Sequence, residues 1–554
     1  MKAAQLLAHF DRVSEAPGAV PRLRRFILDL AVRGKLVAQD VGDEPAAILL
    51  RRIRGEKARL DKAGKRKRVA EETADEFEAP FVLPMQWVWA RLGDVAQYGI
   101  PDKAEANAVL PENTWVLDLE DIEKDTSRLL AHVELSARPF SSTKTVFKQG
   151  DVLFGKLRPY LNKVVIADRD GVCTTEIIPI RGYCGLVPEY TQLVLRSPLT
   201  MARVDRLMYG MKMPRLGTAD ATALTYPLPP LAEQHRIVAK VEELMALCDQ
   251  LESAQQERER RRDRLTAASL QRLNQPSEAI SPETQREHAR FHLHHLPRLT
   301  TRPEHIKELR QTFFNLAVCG RLVAQDADDE PTVKLLNRLG VQTAKSQANA
   351  ILPSIPVSWS WVTIDQIAAV GSGTTPSRDA PDYFSPVGTP WVTSGETSNA
   401  FITQTAQHIS ERAMKETSLK LYPPGTLIVA MYGQGKTRGQ IAELSISATT
   451  NQACAAIVLK LKDVAHRRYV KLYFQKIYEE IRELAAGGAQ PNLNGGKIKS
   501  TLIPLPPLAE QHRIVAKVDA LMALCDQLEA NLVTAETDSR RSLEAVLEAA
   551  LAPA

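Results

Sequence analysis

The chain offers few handles for catalysis and none for export. Its six cysteines, Cys173, Cys184, Cys248, Cys319, Cys454 and Cys525, form no CxxC and no paired framework. That excludes a disulfide-stapled fold and fits a reducing, cytoplasmic compartment. No apolar stretch is long enough to span a bilayer, and MKAAQLLAHFDRVSEAPGAV lacks the apolar run of a signal peptide. There is no Gly-rich dinucleotide fingerprint, no carboxylate pair beside an HxxxH, and no (D/N)PP(Y/F) of the kind amino-methyltransferases use. AMYGQGKT (Ala430–Thr437) ends like a phosphate-binding loop, but Ala430 stands where the first glycine is required. Ser141-Ser142-Thr143-Lys144 matches SxxK only at chance level. His288, His292, His294 and His295 have no cysteine or carboxylate at ligand spacing. The expectation is a chain with no catalytic, cofactor-binding or metal-ligating residue.

What is present is a duplication. PLPPLAEQHRIVAKVEELMALCDQLE (Pro227–Glu252) returns as PLPPLAEQHRIVAKVDALMALCDQLE (Pro504–Glu529), at an offset of 277 residues. A period of half the chain marks a copied module and not a short-period solenoid. In each copy Pro-Leu-Pro-Pro favours an extended approach. Then Ile237, Val241, Leu244, Cys248 and Leu251 recur at helical a/d spacing, as do Ile514, Val518, Leu521, Cys525 and Leu528. An amphipathic helix packed on its own domain would give this seam. So would two copies paired as an antiparallel coiled coil about a pseudo-two-fold axis, the reading the duplication favours. The first helix continues through ERERRRDRLTAASLQRLNQP, so that Ala232–Leu273 would span about 60 Å at roughly 1.5 Å per residue.

Two further markers are copied. Leu30–Asp40 (LAVRGKLVAQD) matches Leu316–Asp326 (LAVCGRLVAQD), each followed by Asp-Glu-Pro, and Pro84-Met85-Gln86-Trp87 matches Pro356-Val357-Ser358-Trp359. Gly34 and Gly320 suit helix C-caps, and Glu-Pro suits the start of the next helix. These segments form either a structural hairpin or a docking surface. The expected organisation is a helical segment (1–60), a polar basic linker (61–79), a mixed region (80–226), a long helix (227–275), a linker (276–303), a second helical segment (304–350), a second mixed region (351–503) and a second long helix (504–554). Lys65–Arg68 in the first linker could touch phosphates, although charge runs are usually solvated. The mixed regions alternate short Val/Ile/Leu runs with turns (Val152–Phe154, Val164–Ile166, Ile177–Ile180, Thr426–Ala430, Ala455–Leu461), with helix near Tyr190–Met208 and Tyr469–Leu484. Frames are copied while contents are not, as expected when two domains share a scaffold but contact different things.

A net charge of +5 permits nucleic-acid binding without requiring it. The pointed signal is local. Each mixed region has a strand followed by a basic and aromatic loop: Lys156, Arg158, Tyr160 and Lys163 in the first; Tyr432, Gln434, Lys436 and Arg438 in the second. A second paired loop precedes each long repeat, with Lys212 and Arg215 in one copy and Gln490, Asn492, Asn494 and Lys497 in the other; Pro214 and Pro491 are again 277 apart. Arg and Lys forks, amides and aromatic rings are what phosphates and base edges require. A solvated hairpin tip is the alternative. Glu233, Gln234 and Arg236, with Glu510, Gln511 and Arg513, open the long helices, where inter-domain or partner contact competes with simple capping.

The PLPPLAEQHRIVAKV pair, the Pro-x-x-Trp openings, and KQGDVLFGKLRPYLNKVVIAD with TTEIIPI (Thr174–Ile180) resemble the specificity subunit of type I restriction–modification systems. The resemblance covers nearly the whole chain. It implies an α+β fold in which the mixed regions are target-recognition domains, each reading one half of a split DNA site, with the long helices setting the gap. It implies no activity in this chain. Two methyltransferase subunits using S-adenosylmethionine, and motor-nuclease subunits using ATP and Mg²⁺, would supply the chemistry. A rod tens of Å long is commensurate with the roughly 34 Å turn separating major-groove contacts on one face of DNA.

Overall fold

The computed structural model describes residues 16, 18–62, 79–99, 102–105, 109–274, 281–341, 353–432, 437–480 and 493–551. The basic run Lys65–Arg68 lies outside them. The chain divides into two compact units, Met1–Arg258 with Glu536–Ala554, and Glu259–Ala535.

Unit 1 opens with helices α1 (Ala19–Val32) and α2 (Ala46–Lys62). Past the end of α1, Gly34 takes the left-handed conformation (φ 67°), and the Lys35 amide donates back to the Leu30 carbonyl at 3.0 Å. This is the glycine-terminated helix end the sequence suggested. A Cβ at Gly34 would also lie 2.4 Å from Pro84 Cγ and 3.2 Å from the Trp87 ring. Helix, proline and tryptophan thus close on one another around a missing side chain.

The Pro-x-x-Trp marker leads into strand β1 (Val88–Arg91), and the Pro-Leu-Pro-Pro marker ends strand β10 (Thr225–Leu228). The two pair antiparallel, with Trp89 opposite Pro227. Everything between them is an excursion whose ends meet. It contains β2 (Ala96–Tyr98), β3 (Lys103–Ala104), β4 (Trp115–Leu117), β5 (Lys144–Phe147), β6 (Val152–Gly155), β7 (Val164–Ile166), β8 (Gly171–Cys173) and β9 (Ile177–Gly182). One sheet has the order β2-β9-β6-β7 and is antiparallel; the other, β3-β5-β8-β4, ends in a parallel pair. Helices α3 (Pro188–Arg196) and α4 (Pro198–Leu207) follow, split at Ser197, whose hydroxyl accepts from the Thr200 amide. Long helix α5 (Leu231–Asn274) then begins. Its seam residues Ile237, Val241 and Cys248 are buried in the core of unit 1, with Leu244 and Leu251 packed against it; Val20, Ile27 and Ala31 of α1 belong to the same cluster.

Unit 2 repeats the plan. The segment expected as a linker is instead helical over α6 (Pro282–Leu299), because Ser281 caps it and Pro282 opens it. Helices α7 (Pro303–Val318) and α8 (Thr332–Arg338) follow. Gly320 repeats Gly34, with φ 69° and a Cβ position 2.4 Å from Pro356 Cγ. Strand β11 (Ser360–Thr363) precedes β12 (Ala368–Ser372), β13 (Phe384–Ser385), β14 (Thr389–Val392), β15 (Phe401–Ile402), β16 (Gln407–Ile409), β17 (Leu427–Ala430), β18 (Ile441–Leu444), β19 (Thr449–Thr450) and β20 (Cys454–Leu459). Helix α9 (Val464–Lys476) and strand β21 (Leu502–Leu505) come next, and β21 pairs with β11. The order β12-β20-β17-β18 mirrors β2-β9-β6-β7 and adds β15 at its edge. The second sheet keeps only a parallel pair, β14 with β19, in common with its counterpart. Long helix α10 (Leu508–Leu551) ends the described chain. Ile514 and Val518 lie in one core cluster of unit 2; Cys525 lies in another, with Leu521 and Leu528 against it. The division between units falls inside both long helices. The first begins in unit 1 and ends in unit 2, and the second does the reverse. The protein is therefore two mixed α/β domains joined by two long helices. Among the described residues, no helix is long and apolar enough to cross a membrane.

Candidate nucleic-acid interface

The copied markers converge on one junction in each unit. The Glu233 side chain is fully buried (0 % exposed); its carboxylate accepts from Gln39 Nε2 at 2.7 Å and from Trp87 Nε1 at 2.9 Å. Arg236 forks onto Asp43 at 3.2 and 2.5 Å. Unit 2 reproduces this: Glu510 accepts from Gln325 (2.5 Å) and Trp359 (2.8 Å), and Arg513 forks onto Asp329 (3.1 and 2.5 Å). Gln234 donates to the Pro229 carbonyl and accepts from the Val187 amide, while Gln511 donates to the Pro506 carbonyl and meets His466. These six residues therefore tie helix start, helical hairpin and first strand together inside each unit, and Glu233, Gln234, Glu510 and Gln511 are all buried. Burial opposes the charge of Glu233 and Glu510 and pushes both carboxyls above their ordinary range, while the tryptophan and glutamine donors pull the other way.

The candidate interface sits at the far end of β6. After Gly155 the chain turns through Arg158 and Asn162, both left-handed (φ 49° and 51°). The loop is stitched to the second candidate loop. Arg158 N donates to the Pro214 carbonyl at 2.7 Å, Leu216 N donates to the Lys156 carbonyl at 3.1 Å, and Tyr209 and Arg215 exchange both backbone bonds. Two loops that the sequence offered separately thus form one surface. Arg158, Tyr160, Tyr209 and Lys212 are exposed on it, and Lys156 is half-buried. Met211, fully exposed, and Met213, 52 % exposed, share the tip with them. Cations and rings side by side suit phosphates and base edges.

Two candidates stand apart. Lys163 Nζ donates to the Leu119 carbonyl at 2.6 Å, and desolvation lowers its pKa. It ties the loop to its own domain. Arg215 is held by Glu176, with Nε to Oε2 and Nη2 to Oε1 both at 3.1 Å. Glu176 is the residue that sequence reasoning missed. It lies inside TTEIIPI, but its partner is 39 positions on, and no local spacing announces the pair.

In unit 2, Gln434, Lys436, Gln490 and Asn492 lie outside the described residues. Tyr432 is 38 % exposed just past β17, and Arg438 is half-buried. Asn494 caps the short helix Gly495–Ser500, accepting from the amide of Lys497, whose side chain is exposed. His292 is buried with Nδ1 on the Ser269 hydroxyl (2.9 Å), and Lys144 is paired with Asp118 (3.0 Å). Among the described residues, no group of three His, Cys, Asp or Glu side chains is placed to hold a metal ion.

Comparison with known proteins agrees with this arrangement. The family described as type I restriction modification DNA specificity domain matches residues 356–535, from the second Pro-x-x-Trp marker into α10. The EcoEI specificity subunit of Escherichia coli, a type I restriction enzyme component, is 29% identical over 578 residues, covering 96% of this chain and 94% of its own. The EcoAI specificity subunit of the same organism is 27% identical over 571 residues, with the same coverage. A chain solved in a study of complex assembly and conformational transition of the type I restriction–modification system shares the fold, with a TM-score of 0.51 and 21% identity over 85% of this chain and 99% of its own. Residues 356–535 thus match the type I restriction modification DNA specificity domain, and over nearly its whole length, both copied frames included, the chain is similar to specificity subunits of type I restriction enzymes.

Proposed function

We propose that this subunit reads a split, asymmetric DNA site, one half with each mixed domain, and has no catalytic activity of its own. The observation that carries the reading is the contrast between frame and contents. Gln39, Asp43, Trp87, Glu233 and Arg236 return as the same residue types in the same contacts. The loops beyond β6 and β17 differ in nearly every side chain. Identical mounts holding different readers suit two unlike half-sites. The paired loops of unit 1, with Arg158, Tyr160, Tyr209 and Lys212 exposed, are the reading surface for one half. Tyr432, Gln434, Lys436, Arg438, Gln490, Asn492, Asn494 and Lys497 are the candidates for the other. Two methyltransferase subunits carrying S-adenosylmethionine, and motor-nuclease subunits carrying ATP and Mg²⁺, complete the complex, as expected for a partner of the type I restriction enzymes whose subunits it resembles.

The test is co-expression with the methyltransferase subunit in an unmethylated host, followed by mapping of methyladenine. One bipartite motif methylated on both strands is expected. Exchanging the excursion between Leu92 and Leu224 for that of another member should change one half of the motif and leave the other. Methylation by the purified chain alone, or an exchange that alters both halves or neither, would overturn the proposal.

A further inference from the structure

We propose that Arg215 reads a guanine in the half-site facing unit 1, and that Glu176 is the residue that positions it. This rests on the two-reader function above. Glu176 occupies the Nε–Nη2 edge of the guanidinium through both carboxylate oxygens. That leaves the Nη1–Nη2 edge of a side chain that is 38% exposed, with no hydrogen bond from Nη1 among the described residues. An arginine fixed along one edge presents two parallel N–H groups along the other, the pattern that O6 and N7 of guanine accept in the major groove. The backbone is fixed as well. Arg215 exchanges both of its backbone bonds with Tyr209, and Glu176 accepts from the Lys156 amide through its carbonyl at 2.9 Å. Both residues lie on the surface that carries Arg158, Tyr160 and Lys212.

The internal duplication places this pair among the features that differ between the copies. In unit 2 the amide just past the strand, Met431 N, donates to Ala453 O at 2.7 Å, as Lys156 N does to Glu176 O, so Ala453 stands in the place of Glu176. In the sequence, with Pro214 aligned to Pro491, Asn492 aligns with Arg215. The ion pairs that fasten the helical hairpin to the long helix are kept in both copies: Arg236 with Asp43 returns as Arg513 with Asp329, and Arg24 with Glu252 as Arg310 with Glu529. This one is replaced on both sides at once, by an alanine and by an amide of the kind that pairs with adenine. The pair thus differs between the copies where the loops around it differ, at a backbone position fixed by the same amide-to-carbonyl bond in both units.

The experiment compares complexes of the full chain with its methyltransferase, carrying wild-type, Glu176→Gln or Arg215→Lys subunits. It uses methyladenine maps and competition binding against duplexes changed one base pair at a time. In both variants, discrimination for guanine at one position of one half-site should fall on the order of 10- to 100-fold, with the other positions unchanged. In Glu176→Gln alone, non-specific binding should strengthen and its log–log salt slope steepen by about one, because the arginine charge is no longer neutralised locally. A merely structural role would give neither the single-position loss nor the steeper slope. An unchanged motif in both variants, or a loss spread evenly over all positions, overturns the proposal. A wild-type complex that yields no bipartite motif refutes instead the two-reader function on which it stands.

Discussion

The junction between hairpin, strand and long helix makes a prediction that the protein can test on itself. Trp87→Phe removes one donor from the buried Glu233 carboxylate and keeps most of the ring packing. A hydrogen bond to a charged group contributes about 1.5–3 kcal/mol, and with Glu233 shielded from solvent no water replaces the lost partner. The smaller ring also loses some contact with Gly34 and Tyr190, so the single variant overstates the bond. A double-mutant cycle with Glu233→Gln removes that contribution and should leave a coupling of about 1.5–3 kcal/mol. The assay is amide hydrogen exchange on the full-length protein, followed in peptides covering β1 and β10. There the coupling corresponds to protection ratios changed roughly 10- to 150-fold. The copy supplies the control. Trp359→Phe with Glu510→Gln breaks a bond of 2.8 Å between the same residue types and should give the same coupling in β11 and β21. A coupling below about 0.5 kcal/mol in either copy, or exchange rising equally in peptides of both units, would refute the idea that this contact locks each domain to its helix.

Gly34→Ala and Gly320→Ala should each destabilise by several kcal/mol, on the order of 1–2 from the left-handed backbone and the rest from the Cβ contact with Pro84 or Pro356; urea unfolding reads this directly. The Glu233 and Glu510 carboxyls are raised by burial, so the native state binds these protons more tightly than the unfolded chain. Their contribution is fully present below the ordinary glutamate pKa and is lost as pH rises through the raised native values. Glu233→Gln with Glu510→Gln should therefore flatten the stability profile across that window, and profiles that stay parallel would count against it. Lys163→Met should leave DNA affinity and its salt dependence nearly unchanged, because the ammonium already faces the Leu119 carbonyl; Lys212→Ala should weaken binding to all sequences and reduce the salt slope by about one.

The frame was legible in the sequence because its constraints are local and repeated. Gly34 and Gly320 announce a left-handed helix end, Pro-Leu-Pro-Pro announces an extended strand, and the 4-3-4-3 spacing announces a helix with one buried stripe. The duplication doubles each signal. What could not be read was that Gln39, Asp43, Trp87, Glu233 and Arg236 are neighbours. Their mutual burial depends on the pairing of β1 with β10 across more than a hundred residues. Without it, Glu233 and Arg236 read equally well as a partner surface. The candidate interface was half legible for the same reason. Arg158, Tyr160 and Lys212 advertise themselves by residue type. Lys163 does too, but a left-handed turn at Asn162 returns the chain toward Leu119 and takes the ammonium with it. The helix at Pro282–Leu299 was hidden by polar composition, since its buried positions, His292 and Leu296 among them, are few and one is a histidine.

The meeting of β1 with β10, and of β11 with β21, also shows how one scaffold can carry unlike inserts. The excursion leaves and returns on adjacent antiparallel strands, so its ends are fixed at one place in each unit. The frame holds the two strand ends through the copied tryptophan–glutamate contact, and it shares one core with the helix Pro188–Arg196 of the excursion. Sequence between the strands can then drift until the two sheets keep a shared order in four positions and differ beyond them, as they do here. The same logic says where specificity must be sought: in side chains that differ between the copies at backbone positions that do not. Glu176 and Ala453 are one such position, fixed by the same amide-to-carbonyl bond in both units. Arg215 is the side chain this difference acts upon. A change of target sequence would then require few substitutions at these fixed points and no change in the long helices.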